Sequence, residues 1–164
     1  MITAYLISED YIKSNSLISQ NVDGKYLQSA IGEAQDIFLQ SLIGTSLYNR
    51  LQNDIDNDAL TDDYKLLLDD YITPYLLQKV QATIQLAIFA KFKNSGVIQS
   101  TDQQTTYTSL KDVQYIINQF NVKAEFYAER MKKFLCENSG KYKEWSYCKD
   151  KRKSDNIQTV GIKL

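Results

Sequence analysis

The run PYLLQKVQATIQLAIFAKFK, residues 74–93, is apolar on more than one face when it is drawn as a helix. A helix with that pattern buries most of its circumference, so other helices have to surround it. Pro74 disfavours helical geometry at Thr73 and suits the first turn of a new helix. The sequence therefore predicts a central helix that begins after a break or kink at Thr73.

Amphipathic helices are predicted on both sides of this central helix, because apolar residues recur there at three- and four-residue spacing. Ser8 and Asp23 are expected to cap two of them, and Gly44 is expected to end one in the left-handed conformation. The polar stretch 94–107 predicts a long loop and a first candidate contact surface. The predicted flanking helices are 9–14, 23–43, 45–55, 61–73 and 109–138.

These patterns predict an all-α protein, a helical bundle of about five main helices that occupies residues 1–148. Its last helix, 109–138, is the longest, at about 45 Å. An extended C-terminal arm is expected in residues 149–164, which carry no helical stripe. The length of 164 residues, with 43% hydrophobic and 24% charged residues, fits one domain of a soluble protein.

The composition argues against most catalytic chemistry. The chain has no histidine, which removes the commonest general base, the triads that depend on it and most zinc sites. Cys136 and Cys148 lack the spacing of a metal knuckle or a disulfide framework, so we expect a structural Cys136 and a reducing compartment. No run approaches the about 20 apolar residues that span a bilayer. We therefore expect no enzyme activity, no cofactor, no bound metal and no membrane contact.

Opposite charges concentrate in two parts of the chain. The stretch 54–70 holds seven Asp and one Lys, a net charge of −6, whereas 149–164 holds five Lys or Arg and two Asp, a net charge of +3. Asp54, Asp56 and Asp58 have the spacing that opens an EF-hand loop, but the glycine and the glutamate that such a loop needs further on are absent. A solvated linker is therefore favoured over a calcium site.

The basic C-terminal arm has three interpretations: a disordered end, an arm that binds nucleic acid, or a peptide that orders on a partner. Its last residues, TVGIKL, are β-prone and apolar, which favours docking on a sheet edge or groove of another protein. The chain also has 12 tyrosines, a residue type that is enriched in interfaces.

Several stretches resemble the α-helical head-to-tail connector proteins of tailed bacteriophages, also called head-completion or adaptor proteins, especially those of Bacteroides-type and crAss-like phages. The resemblance covers most of the chain and rests on the order and spacing of helix boundaries. The stretches that carry it are LISEDYIKSN (6–15), AIGEAQDIFLQSLIGTSLYNRLQ (30–52), DDYITPYLLQKV (69–80), the pair GV (96–97) and ENSGKYKEW (137–145).

The resemblance implies a structural virion protein without enzyme activity, located at the head-tail junction and made in the cytoplasm of the bacterial host. Such proteins form a ring, commonly a dodecamer, beneath the portal of the DNA-filled head. The implied partners are the portal protein, neighbouring copies in the ring and the tail or further connector proteins. DNA would pass through the channel of the ring without specific binding.

Two sets of residues are candidates for these contacts. The first set is expected to bind the portal or a neighbouring subunit: Tyr142, Trp145, Lys151, Arg152, Lys153, Ile157, Val160 and Ile162. Within it, the two aromatic residues would anchor the arm against the body. The second set is an acidic patch that would face a neighbour or line the channel: Asp54, Asp56, Asp58, Asp62 and Asp63.

Two alternative functions stay open. The first is a DNA-binding helical protein in phage packaging or regulation, although its basic residues would have to lie on a folded helix face. The second is a small enzyme that works without histidine, for which the sequence offers no paired catalytic residues.

Overall fold

The computed structural model describes residues 4–18, 20–94 and 110–145, and every regular element in these ranges is helical. The predicted all-α bundle is therefore confirmed. The helices are α1 (Glu9–Asn15), α2 (Gly24–Glu33), α3 (Gln40–Ile43), α4 (Thr45–Asp56), α5 (Asp62–Leu67), α6 (Thr73–Asn94) and α7 (Leu110–Glu137). Two π-helical segments, π1 (Ala34–Leu39) and π2 (Leu68–Ile72), join α2 to α3 and α5 to α6.

Helix α6 lies at the centre of the bundle, as its apolar pattern predicts. It packs against α7, α2 and both π-helical segments. Leu76, Val80 and Ile84 of α6 are buried in the hydrophobic core cluster, together with Ala124 and Met131 of α7. The core is thus formed by a central helix and the helices that surround it.

Three predicted helix boundaries are found in the structure. The Ser8 hydroxyl accepts a hydrogen bond from the Tyr11 backbone N–H, and the Asp23 carboxylate accepts one from the Lys25 N–H. Gly44 separates α3 from α4 and has a positive φ of 81°. Its ψ of 152° is not that of the left-handed helix, so that detail of the prediction is wrong. The extended geometry allows α4 to begin at the very next residue.

The predicted break at Thr73 does not occur. Thr73 has helical dihedral angles, and its N–H bonds to the carbonyl of Leu68, five residues earlier. Pro74 has no N–H to give to the carbonyl of Asp70, and its ring crowds that carbonyl in a regular α-turn. The wider turn of π2 accommodates the proline, so the chain stays helical from α5 through α6.

The N-terminal segment and Cys136 show two features that the sequence did not predict. Ala4 and Leu6 lie in a non-helical stretch whose backbone is hydrogen-bonded to the buried side chain of Gln35 in π1. Cys136 is disulfide-bonded, which corrects the expectation of an unpaired structural cysteine. The predicted loop at 94–107 lies, after Asn94, outside the described residues, and so does the predicted arm at 149–164.

Candidate docking site at the C-terminal turn

The predicted acidic patch divides into one buried carboxylate and four exposed ones. Asp54, in the last turns of α4, is only 7% exposed. The other carboxylates project from the end of α4, from the linker and from the first turn of α5 into solvent: Asp56, Asp58, Asp62 and Asp63. Only these four are placed to meet a partner, because Asp54 is held inside the protein.

Arg50 explains the burial of Asp54. Its Nε atom lies 2.6 Å from Oδ2 of Asp54, one helical turn away on α4. Its guanidinium carbon lies 5.3 Å from the ring centroid of Tyr64, and Nη1 lies 3.9 Å from Oε1 of Glu144. The Asp54 carboxylate raises the pKa of Arg50 above its usual value. Arg50 thus connects α4 both to α5 and to the turn that follows α7.

Tyr64 and Glu144 make the second connection between α5 and this turn. The Tyr64 hydroxyl donates a hydrogen bond of 2.7 Å to Oε2 of Glu144. Burial and this bond raise the pKa of Tyr64 to about 12. Burial alone would raise the pKa of Glu144, but the bond from Tyr64 and the charge of Arg50 outweigh it and lower that pKa. Glu144 is therefore held as a carboxylate between a hydroxyl donor and a cation.

Asp63 accepts two further contacts from the same turn. Nζ of Lys141 lies 2.7 Å from its carboxylate, and the Tyr142 hydroxyl donates a 2.8 Å hydrogen bond to its backbone carbonyl. The Tyr142 ring meets the edge of Tyr64 at a centroid distance of 5.4 Å and lies 5.7 Å from Phe134. Burial, and then the nearby Asp63 charge, raise the pKa of Tyr142 to about 12.

The turn 138–145, which we call the C-terminal turn, is therefore fixed to the body by apolar burial and by polar contacts. Tyr142 is fully buried and Trp145 is 3% exposed, and both belong to the core cluster. These two predicted contact residues lie in the interior and offer no outer surface to a partner. The other predicted contact residues lie outside the described residues: Lys151, Arg152, Lys153, Ile157, Val160 and Ile162.

The contacts at this site are ion pairs, hydrogen bonds and buried aromatic rings. The described residues contain no group of three or more side chains suited to hold a metal ion. An open depression of about 260 Å³ lies between α1 and π2, and Asp69 is the one ionisable carboxylate in its lining. None of the described helices is both long and apolar enough to cross a membrane.

One protein family matches residues 39–155, more than two thirds of the chain. The matched stretch begins in π1 and contains Arg50, Tyr64 and the whole C-terminal turn. The chain belongs to the DUF6712 family. That family is described as one of unknown function. No curated protein and no solved structure matches the chain. For this DUF6712 chain, function must therefore be argued from the residues themselves.

Sequence analysis missed three residues that organise the site: Arg50, Tyr64 and Glu144. Arg50 and Asp54 have the i,i+4 spacing of a helical ion pair, which was a usable signal. The link from Tyr64 to Glu144 spans 80 positions in the chain and had no local signal. The site depends on the packing of α5 against the C-terminal turn, which no local sequence pattern indicates.

Proposed function

We propose that this protein is a structural virion protein, an α-helical head-to-tail connector that forms a ring beneath the portal of a tailed phage. Its C-terminal arm, residues 149–164, docks on the portal or on a neighbouring copy. The basic residues Lys151, Arg152 and Lys153 make the charged contacts of the arm, and Ile157, Val160 and Ile162 make the apolar ones. The tail or further connector proteins bind the opposite side of the ring.

The observation that carries this proposal is the fixed C-terminal turn. Contacts from Lys141, Tyr142 and Glu144 hold the turn on α4 and α5, and the arm begins only a few residues beyond Trp145. A docking peptide is most effective when its starting point is rigid, because less freedom is lost on binding. In this role Tyr142 and Trp145 act as anchors inside the body.

Charge supplies the second support. Residues 149–164 carry a net charge of +3, and the body of the protein exposes the carboxylates of Asp56, Asp58 and Asp62. The arm of one copy can therefore be attracted to the acidic surface of the next. Such head-to-tail contacts join different surfaces of neighbouring copies, and they close into a ring when the rotation between copies allows it.

The acidic residues also suit the inside of a connector ring. Carboxylates that face a channel repel the phosphates of passing DNA, so DNA would move through without specific binding. Asp56, Asp58, Asp62 and Asp63 are the exposed candidates for this role or for contact with a neighbour. Asp54 is assigned instead to holding Arg50 in place.

The test is co-assembly with the portal protein of the same phage, observed by electron microscopy. We expect the full chain to add a symmetric layer below the portal, and a chain ending at residue 148 to lose it. A matched pair of variants tests charge: K151E/R152E/K153E should lose the layer, whereas a Lys25→Glu change on the exposed side of α2 should keep it.

Two results would count against the proposal in different ways. If the shortened chain forms the same layer, the arm does not dock on the portal. If neither chain binds the portal but the full chain retains DNA on a filter with a steep salt dependence, the DNA-binding alternative replaces the connector.

A further inference from the structure

Helix α7 carries large apolar side chains on the face opposite to the one that it buries. Ala124 and Met131 face the core, whereas Tyr115, Val122 and Phe126 are each 66% exposed. At about 100° per residue, these three exposed residues lie within about 40° of one another on the helix surface. We call them the outer stripe of α7.

The outer stripe has the composition of a contact surface. Asn118 and Gln119, which lie between Tyr115 and Val122 on this face, are uncharged, and the exposed Lys133 lies two turns beyond Phe126 on the same line. A helix that is apolar on two opposite faces is typical of one that is covered on both sides. Contiguous exposed apolar side chains of this size commonly mark an interaction site.

The charges at the two ends of the stripe indicate what covers it. Lys111 and Glu129 are five turns apart and therefore share one flank of the helix, while Asp112 and Arg130 share the other flank. Two antiparallel helices related by a twofold axis bring identical flanks together. With the axis level with positions 120 and 121, Lys111 meets Glu129 of the second copy, and Asp112 meets its Arg130. Within each copy the guanidinium carbon of Arg130 also lies 4.8 Å from the ring centroid of Tyr71, so this second ion pair would form beside that ring.

The same register also pairs the apolar residues. Tyr115 and Phe126 lie at equal distances on either side of the axis, so each Tyr115 meets the Phe126 of the other copy. Aromatic pairs of this kind add stability beyond the area that they bury. Every contact occurs twice, which gives four ion pairs and two aromatic pairs for a single choice of register.

We propose that two copies of this chain associate through the outer stripes of α7, packed antiparallel about a twofold axis. The proposal goes beyond the connector function and does not rest on it, because ring contacts between neighbours are of the head-to-tail kind. The portal experiment reports on the arm, and the experiments below report on α7, so either proposal can fail alone.

The apolar area that the outer stripe can bury indicates a weak dimer. A fully buried Tyr or Phe contributes about 150–250 Å², so each two-thirds-exposed ring here offers on the order of 100–160 Å². A standard interface buries about 800 Å² on each partner. The two rings and Val122 supply at most about half of that area, so we expect a weak, concentration-dependent dimer with a Kd on the order of 10 µM or above.

Sedimentation of the full chain over a series of concentrations tests the pair. The wild-type chain should change from monomer to dimer across the micromolar range, and Phe126→Lys should raise the Kd by at least about thirtyfold because it buries an ammonium group against Tyr115. Leu86→Lys is the matched control, since Leu86 on α6 is also a large exposed apolar residue, at 51%. It should leave the Kd unchanged.

A charge swap tests the register. Lys111→Glu and Glu129→Lys should each raise the Kd about tenfold, because each creates two like-charge contacts in the dimer. Glu129→Lys also removes the contact of 2.8 Å with Lys132 within the chain. The double variant restores opposite charges across the interface but not that internal contact, so its Kd should return to within about threefold of wild type.

Three results would overturn the proposal. If the wild-type chain stays monomeric over the whole concentration series, its outer stripe is either exposed to solvent or covered by other residues of the same chain. A dimer that Phe126→Lys leaves intact uses another surface. A double variant that associates no better than the single variants contradicts the antiparallel register. Circular dichroism of every variant confirms that the helical content is unchanged.

Discussion

Gln35 shows how one buried polar side chain fixes a segment that has no helix of its own. Its Oε1 atom accepts a hydrogen bond of 3.2 Å from the Leu6 N–H, and its Nε2 atom donates one of 3.0 Å to the Ala4 carbonyl. Gln35 is fully buried, so both backbone groups have a partner away from water. The non-helical N-terminal stretch is thereby attached to π1.

Replacing Gln35 with leucine should lower the free energy of unfolding by about 1–3 kcal/mol, because the buried Leu6 N–H loses its partner and the Ala4 carbonyl keeps only the 3.4 Å hydrogen bond from Gln52. Urea denaturation followed by circular dichroism measures the change. The control is Gln114→Leu at an exposed position of α7, where we expect a change within about 0.5 kcal/mol. Equal midpoints for wild type and Gln35→Leu would contradict the structural role of this amide.

Glu144 gives a second prediction, on pH. Its pKa is lowered in the folded protein, so its charge adds stability above the unfolded-state pKa of about 4.3, and this contribution is lost as the pH falls through the folded value. Glu144→Gln should therefore destabilise the protein at neutral pH and have little effect in strong acid. The effect should stay below about 1 kcal/mol, because the side chain is 26% exposed.

Urea midpoints at pH 7 and at about pH 3 measure the Glu144 effect. The exposed Glu33 of α2 supplies the matched control, Glu33→Gln, for which we expect a change within about 0.5 kcal/mol at neutral pH. A loss of stability that is the same at both pH values would show that Glu144 acts by packing and not by charge.

The helix boundaries show which local signals determined this fold. Gly44 has the positive φ that was expected of it, and a Cβ atom placed there would meet no other atom within 4 Å. The requirement for glycine is therefore one of backbone geometry and not of space. Gly140, after α7, also has open space around it but is not among the positive-φ residues.

These two glycines make a matched pair of variants. Gly44→Ala should destabilise the protein by about 1–3 kcal/mol, because alanine rarely adopts a φ of 81° with an extended ψ. Gly140→Ala should change stability by no more than about 1 kcal/mol in either direction. Thermal unfolding of both variants is the measurement. Similar losses at the two positions would mean that backbone conformation does not separate α3 from α4.

Local patterns predicted the helices but not the π-helical segments or the interior of the site. Apolar spacing and the Ser8 and Asp23 caps depend on neighbours in sequence, so these predictions are confirmed. The continuity of the helix through Pro74 depends on a wider turn, which no spacing rule indicates. Asp54 was expected at the surface because it belongs to an acidic run, whereas its i,i+4 ion pair with Arg50 keeps it inside.

At the scale of the whole molecule, the fold brings distant stretches together at one corner. The end of α4, the start of α5 and the C-terminal turn meet through Arg50, Asp63 and Glu144. Aromatic residues near the chain end indicated an anchor, and the burial of Tyr142 and Trp145 agrees with that role. Their contact with a partner, and the docking of residues 149–164, remain proposals.

If the basic arm docks by charge, its binding to the portal should weaken as salt rises. Exposed charge pairs are screened beyond about 8–10 Å at physiological ionic strength, so raising the salt from about 0.1 to 0.5 M should lower the affinity of the full chain several-fold. Light scattering or surface-based binding assays can measure this change. The K151E/R152E/K153E variant should bind weakly at both salt concentrations; a salt-independent affinity of the full chain would point to the apolar residues of the arm alone.

The most direct test of the connector account is electron microscopy of the portal mixed with the full chain or with the chain ending at residue 148. The account predicts a closed ring of additional density below the portal with the full chain and its loss with the shortened one. A portal that stays bare in the presence of the folded full chain would contradict the connector function itself.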